Sequence, residues 1–271
     1  MNSAASTPWQ IEMFRRSIKK QQKLQALRDI LGDLGTERCL LVTCGDNNGA
    51  LNWFFRLDGG QWTWSDVSGE NQDQVVELLA EPVHRLTGDS LSFPDEAFDC
   101  IVSIDVLEHL DQDQPFLLEL NRVARPGGTV VVTVPNGDPG LAANRIKWRV
   151  GMTPQVYGHT RAGYTLGELW DAVSRAGLTP IETSGYSRFF TEMIELAINF
   201  GYVRVLSKKQ GGPKSGQIAP LSSGELNKHG LAYRLYSLAF PLLRAASRLD
   251  ALLPQETDNA VIVKAVKNSA P

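Results

Sequence analysis

Short apolar runs recur along the chain, each followed by a stretch whose apolar positions return at helical spacing. Cys39–Thr43 reads as a strand and Gly49–Phe55 as the helix after it; Gln61–Ser65 and Asp73–Leu79 repeat the pair, and Pro82–Leu86 is a third strand. The clearest unit comes next. Phe98–Ile104 is a buried strand, Asp105–Asp113 an acidic loop with a histidine, Gln114–Val123 an amphipathic helix, Pro126-Gly127-Gly128 a turn, and Thr129–Val134 a second buried strand. Apolar strands joined through helices are parallel neighbours, because the crossover lets both pair and be covered. The alternation predicts an α/β chain with a doubly wound, mostly parallel sheet. Its ligand crevice belongs at the carboxyl ends of the strands, where Asp105, Glu108 and His109 fall.

The remainder is patterned differently. Residues 1–10 read as a polar tail, and Ile11, Phe14, Ile18, Leu24, Leu27 and Ile30, interleaved with Arg15, Arg16, Lys19, Lys20, Lys23 and Arg28, predict one basic amphipathic helix within 11–36. Thr165 and Glu168 form a capping box opening a helix over Leu166–Ala176, with Gly177 closing it. Thr179–Tyr186 and Ala260–Val266 read as strands. Between them, Phe189–Leu206 is helix-compatible, Ser207–Gly224 is a Lys-, Gly-, Ser- and Pro-rich linker, and Gly230–Leu253 is an apolar helix carrying Arg234, Ser237, Pro241, Arg244 and Arg248 on one face, with a kink expected at Pro241.

Composition narrows the classes. With 271 residues, 42% hydrophobic content, 24 Gly and 14 Pro, the chain is an ordinary globular protein. A net charge of −3 argues against a dedicated nucleic-acid binder. Cys39, Cys44 and Cys100 are odd in number and lie in or beside buried strands, so they read as reduced thiols in a cytoplasmic protein. No leader pattern and no window of membrane-span length is found, which predicts a soluble or peripheral chain.

Phe98, Asp99, Leu107, Glu108, His109, Glu119, Leu120, Arg122, Val123, Pro126, Gly127, Gly128, Pro135 and Asn136 stand at fixed spacing across two strands, a helix and a turn. In this the chain resembles the class I S-adenosylmethionine-dependent methyltransferases, type 11 group. The resemblance implies a seven-stranded Rossmann-like sheet whose last strand pairs beside Thr179–Tyr186. The chain then divides into a core over 37–186, a helical insertion or lid over 187–258, and a final strand and tail over 259–271. It also implies S-adenosylmethionine as cofactor, held after the first strand by a glycine loop. Here that loop is Leu41-Val-Thr-Cys-Gly-Asp-Asn-Asn-Gly49, in which Gly45 matches the central glycine, Thr43 and Asn47 replace its neighbours, Leu41 replaces the usual acid and Asp46 lies close by. Asn tolerates positive φ better than most residues, so Asn47 or Asn48 can support the turn. Asp66, about 20 residues past Gly45, suits a ribose diol; Asp89, Ser90 and Asp105 complete the expected cofactor set.

Methyl transfer from a sulfonium needs positioning more than acid assistance, and a general base only if the acceptor is a hydroxyl. His109, at the end of a strand, and His159, in the segment expected to cover the acceptor, are the candidate bases; Tyr157, Arg161 and Tyr164 are candidate acceptor contacts. The cysteines and histidines are not at metal-ligand spacing, so no metal is expected. The function expected is O-methylation of a small or lipid-linked metabolite, such as a sugar, quinone or cell-envelope intermediate. The basic first helix and the apolar insertion suggest peripheral contact with the inner membrane face, or a homodimer contact. The alternatives are a non-catalytic binding protein of the same fold, given the altered glycine loop, and a nicotinamide-dependent oxidoreductase, which that loop disfavours because G-x-G-x-x-G is absent.

Overall fold

Cys39, Leu40, Leu41 and Val42 are all fully buried, because the strand that holds them lies mid-sheet with helices over both faces. The computed structural model describes residues 7–44, 48–67, 72–87, 90–201 and 230–268. Its strands are β1 (Arg38–Thr43), β2 (Gln61–Asp66), β3 (Val83–Thr87), β4 (Ser90–Leu91), β5 (Phe98–Ile104), β6 (Ala124–Pro135), β7 (Leu178–Tyr186) and β8 (Ala260–Lys267). They form one sheet in the order β4-β3-β2-β1-β5-β6-β8-β7. β3, β2, β1, β5 and β6 run parallel, and β8 lies antiparallel between β6 and β7. The eighth strand, beyond the seven expected, is the two-residue β4, which pairs antiparallel to the end of β3.

The helices are α1 (Trp9–Phe14), α2 (Ile18–Leu31), α3 (Ala50–Leu57), α4 (Gln72–Leu79), α5 (Asp113–Val123), α6 (Ala142–Arg149), α7 (Leu166–Arg175), α8 (Phe189–Gly201) and α9 (Gly230–Ser247). Alternate strand residues point to opposite faces and build two cores. Leu40, Val42, Ile101, Val130 and Val132 meet α5 and α7. Cys39, Leu41, Trp64, Cys100, Val102 and Val131 meet α1 to α4. All three thiols are free and buried.

Three local readings change. The first helix starts at Trp9, inside the expected tail, and breaks in two, because the Ser17 hydroxyl accepts the Lys20 N–H and caps a new helix. Strand β6 begins at Ala124, and its Pro-Gly-Gly lies in an irregular stretch of the ladder with Gly127 at φ +74°. The chain between β7 and β8 supplies α8 and α9, and α9 continues through Pro241. The linker at 207–224 lies outside the described residues.

Candidate active site

The carboxyl ends of β1, β2, β5, β6 and β7 share one edge of the sheet with the start of β8. This edge gathers Thr43, Asp66, Asp105, Asn136, Tyr186 and Asn259. Thr43 and Asp66 are register partners, and the Thr43 hydroxyl donates to Asp66 Oδ2 at 2.7 Å, fixing a carboxylate that is 4% exposed. Asp105 follows β5 with φ +50°; its N–H donates to the Thr133 carbonyl, and its Oδ2 accepts from Lys23 of α2. Asp105 Oδ1 is buried without a hydrogen bond among the described residues. Gly45, Asp46, Asn47 and Asp89 lie outside them. Asn48 Oδ1 accepts the Ala50 N–H at the start of α3, and Gly49, at φ +87°, passes so close to α4 that a Cβ would sit 3.2 Å from Val75 Cα.

A second group stands beside these acids. His109 ends a short 3-10 turn, Leu107–His109, and His159 follows another, Pro154–Tyr157. Their rings are perpendicular with centroids 4.8 Å apart, and His109 Nδ1 is 3.2 Å from the Gly158 carbonyl. Thr160 holds the two loops together, donating its N–H (2.8 Å) and its hydroxyl (3.1 Å) to the Glu108 carbonyl. Burial first, and the neighbouring His109 second, push the His159 imidazole down to about 4 from its ordinary 6.5, so it is neutral at pH 7. Buried Glu108 joins the pair: one ligand atom from each of Glu108, His109 and His159 lies within 4.8 Å of the others. Sequence spacing keeps these histidines 50 residues apart, whereas the fold brings them to a carboxylate, a cluster of three groups of metal-ligand type that the spacing did not anticipate.

His159 and Tyr157 line a cavity of about 110 Å³ together with Lys19, Asn136, Asn144, Lys147, Glu192 and Glu195. Glu192, 2% exposed, accepts from Lys19 at 2.6 Å, Lys147 at 3.0 Å and the Ser187 hydroxyl at 2.5 Å. Burial alone would raise its carboxyl, but the two ammonium groups prevail and hold it at about 2. Burial does raise Glu195 and lower Lys147. The sequence reading missed Lys19, Lys23, Lys147 and Glu192. The available signal was Glu192 with Glu195, two acids in an apolar helix; the lysines read as solvated charges.

Three expected contacts fall elsewhere. Arg161 pairs with Asp113 at 3.1 Å and lies 4.0 Å over the Tyr164 ring; Tyr164, 1% exposed, donates its hydroxyl to Asp113 Oδ2 at 2.6 Å. Neither lines the cavity, because Asp113 at the start of α5 satisfies both. The Ser90 hydroxyl donates to Glu119 Oε2 at 2.9 Å, which ties β4 to α5.

The residues present fit a nucleoside cofactor: a fixed, buried carboxylate ends β2, and a buried carboxylate oxygen after β5 awaits a donor. In an open, mostly parallel sheet the ligand crevice lies at such an edge. Residues 40–132 match the family model described as a methyltransferase domain. Over those residues the chain carries a methyltransferase domain, and it is a methyltransferase that uses S-adenosylmethionine. It is similar to the ubiquinone biosynthesis O-methyltransferase of Cereibacter sphaeroides, 25% identical over 167 residues that cover 58% of this chain and 67% of that one. Over 104 residues it is 32% identical to the phthiotriol/phenolphthiotriol dimycocerosates methyltransferase of Mycobacterium tuberculosis, covering 35% and 37% of the two chains. In fold it is similar to the [4+2]-cyclase SpnF (TM-score 0.55, 19% identical, 93% of this chain and 83% of that one). A methyltransferase-like structure from Bacillus halodurans is also similar (TM-score 0.54, 14% identical, 91% and 99%). No helix among the described residues is long and apolar enough to cross a membrane.

Proposed function

We propose that the chain methylates a hydroxyl of a small or lipid-linked metabolite, such as a quinone precursor, a lipid-carried sugar or a cell-envelope intermediate. The observation that carries this is the His109–His159 pair beside Glu108, with His159 lining a partly open cavity at the strand edge that also holds Asp66 and Asp105. The relatives support the acceptor class, since one is named for O-methylation in ubiquinone biosynthesis and another for phthiotriol and phenolphthiotriol dimycocerosates.

Each residue has a task. When bound, the cofactor supplies a methyl group already activated by positive charge. Asp66 would accept its ribose hydroxyls, in charge-assisted bonds worth roughly 1.5–3 kcal/mol each. Asp105, with Gly45, Asp46, Asn47, Asp89 and Ser90, completes the proposed cofactor set, although Ser90 must leave Glu119 to take part. Tyr157 and the cavity walls orient the acceptor and exclude water, a contribution on the order of 7–11 kcal/mol when alignment is good. His159, neutral at pH 7, accepts the acceptor's proton, and the nearby Asp105 carboxylate favours the charge so formed.

Calorimetry with S-adenosylhomocysteine tests the first half: micromolar binding that Asp66→Asn abolishes is expected, and no binding at millimolar ligand sinks the catalytic reading in favour of a non-catalytic binder. His159→Gln tests the second. With nucleoside binding intact, kcat should fall by about 10²–10⁴-fold. Because the folded imidazole titrates near 4, the wild-type acid limb should lie between about pH 5 and pH 4. A variant that keeps full kcat and the same limb removes His159 from the chemistry.

A further inference from the structure

The chain between β7 and β8 leaves a ridge of leucines in water. Viewed end on, α9 has three arcs. The inner arc rests on the protein: Tyr236 donates its hydroxyl to the Arg16 carbonyl, and the Tyr233 hydroxyl accepts from Arg16 at 3.0 Å with the guanidinium over its ring. These contacts fix the rotation of the helix. At 100° per residue, Leu235, Leu238 and Leu242 fall within about 60° of one another on a second arc, and they are 60, 79 and 75% exposed. Leu249 and Leu252 continue the exposed series in the 3-10 segment that follows. The third arc carries Arg234, with Arg244 beside the edge of the inner arc and Arg248 one turn on, all exposed.

Between Gly230 and Leu252 there is one acidic residue, Asp250, and it is turned inward. It is 7% exposed, and its carboxylate accepts the backbone N–H groups of Arg188, Phe190 and Thr191 where α8 begins. The outer surface of this segment is therefore apolar along one flank, and the only charges it exposes are cationic. Scattered exposed leucines are ordinary, but a continuous strip of them marks a contact surface.

We propose that this face docks on an anionic membrane surface, with the leucines at the headgroup–acyl boundary and Arg234, Arg244 and Arg248 at the lipid phosphates. A protein partner is less well matched. Protein interfaces centre on aromatic or Arg anchors seated in pockets, whereas here the aromatic residues Tyr233 and Tyr236 face inward and the outer strip is aliphatic. Arg234 flanks the leucines and the exposed Arg244 and Arg248 lie farther round and farther along the segment, where long side chains reach a headgroup layer around a helix lying in the interface plane. The segment rests on the surface without crossing it. Helix α9 also packs on α8, whose Glu192, Glu195 and Leu196 line the cavity, so the docking helix touches an element of the cavity wall. The proposal goes beyond the methyl-transfer reading, and docking does not require catalysis.

Sedimentation of the full chain with sucrose-loaded vesicles tests it. Binding to phosphatidylcholine vesicles containing phosphatidylglycerol is expected at low salt, with much weaker binding at high salt or to phosphatidylcholine alone. Leu238→Ser/Leu242→Ser and Arg234→Glu/Arg244→Glu should each weaken it by roughly tenfold or more. Because all four positions are exposed, unchanged thermal midpoints verify folding. Wild-type chain left in the supernatant with anionic vesicles overturns the proposal, as does equal binding by both variants. Analytical ultracentrifugation covers the remaining occupant: a dimer dissolved by the leucine substitutions, with no vesicle binding, assigns the face to a second copy.

Discussion

Gly163 shows how a single residue sets the geometry of the site. It sits at φ +111°, and a Cβ there would lie 2.1 Å from the Pro135 carbonyl oxygen, which accepts the Tyr164 N–H at 3.0 Å. The loop that carries His159 is thereby pressed against the end of β6. Gly163→Ala combines a disfavoured φ with a backbone collision, so a loss of roughly 2 kcal/mol or more is expected; thermal unfolding should report it, and a midpoint within a degree of wild type would show that the loop relaxes freely. Residue-scale chemistry was only partly legible in the sequence. Asp66 could be named because it ends an apolar strand, and strand ends define the ligand edge. Arg161 and Tyr164 have the residue types of a ligand contact, but Asp113, about 50 positions away, satisfies them both. A long-range partner of that kind leaves no local trace.

Among the elements, α5 explains much of the motif on which the resemblance rested. Arg122 donates to both oxygens of Glu119 at 2.8 Å, to Asp95 at 2.7 Å, and to the carbonyls of Leu91 and Phe93. Hydrogen bonding to Arg122 is the main reason the Glu119 carboxyl is held at about 2, and Glu119 also accepts the Leu91 N–H. The pair is thus a clamp that fastens the β4 edge to α5, and it supports the site from outside. Arg122→Met should cost about 1–3 kcal/mol, since it strands several acceptors at once. Amide exchange at Leu91 should accelerate more than in β1, and uniform exchange would refute the clamp. The element pattern itself was readable because parallel strands buried on both faces are continuous apolar runs. The α1–α2 break was not, because Ser17 looks like any polar residue within a helical period until its hydroxyl meets the Lys20 N–H.

Across the molecule, Glu192 ties together parts distant in sequence. It belongs to α8, yet it pairs with Lys19 from α2 and Lys147 from α6, so one carboxylate fastens the first helices, the segment after β6 and the chain before β8 around the cavity. None of this follows from periodicity, because a lysine on a basic helix reads as solvated until an acid is placed under it. The pH consequence has a definite sign. The carboxyl titrates near 2 in the fold and at its ordinary 4.5 when unfolded, so its contribution is complete above about pH 4.5 and disappears as pH falls toward 2. Glu192→Gln leaves two ammonium groups facing each other across a neutral amide. With Lys147 largely buried and Lys19 partly hydrated, a loss of about 3 kcal/mol is expected at pH 7. The variant should also lose part of the wild-type decline in stability between pH 4.5 and 2. Urea unfolding at pH 7, 4.5 and 3 measures both effects. If wild type and variant fall in parallel over that range, the acid sensitivity lies in other carboxylates, and Glu192 is a local contact, not the fastening of the cavity.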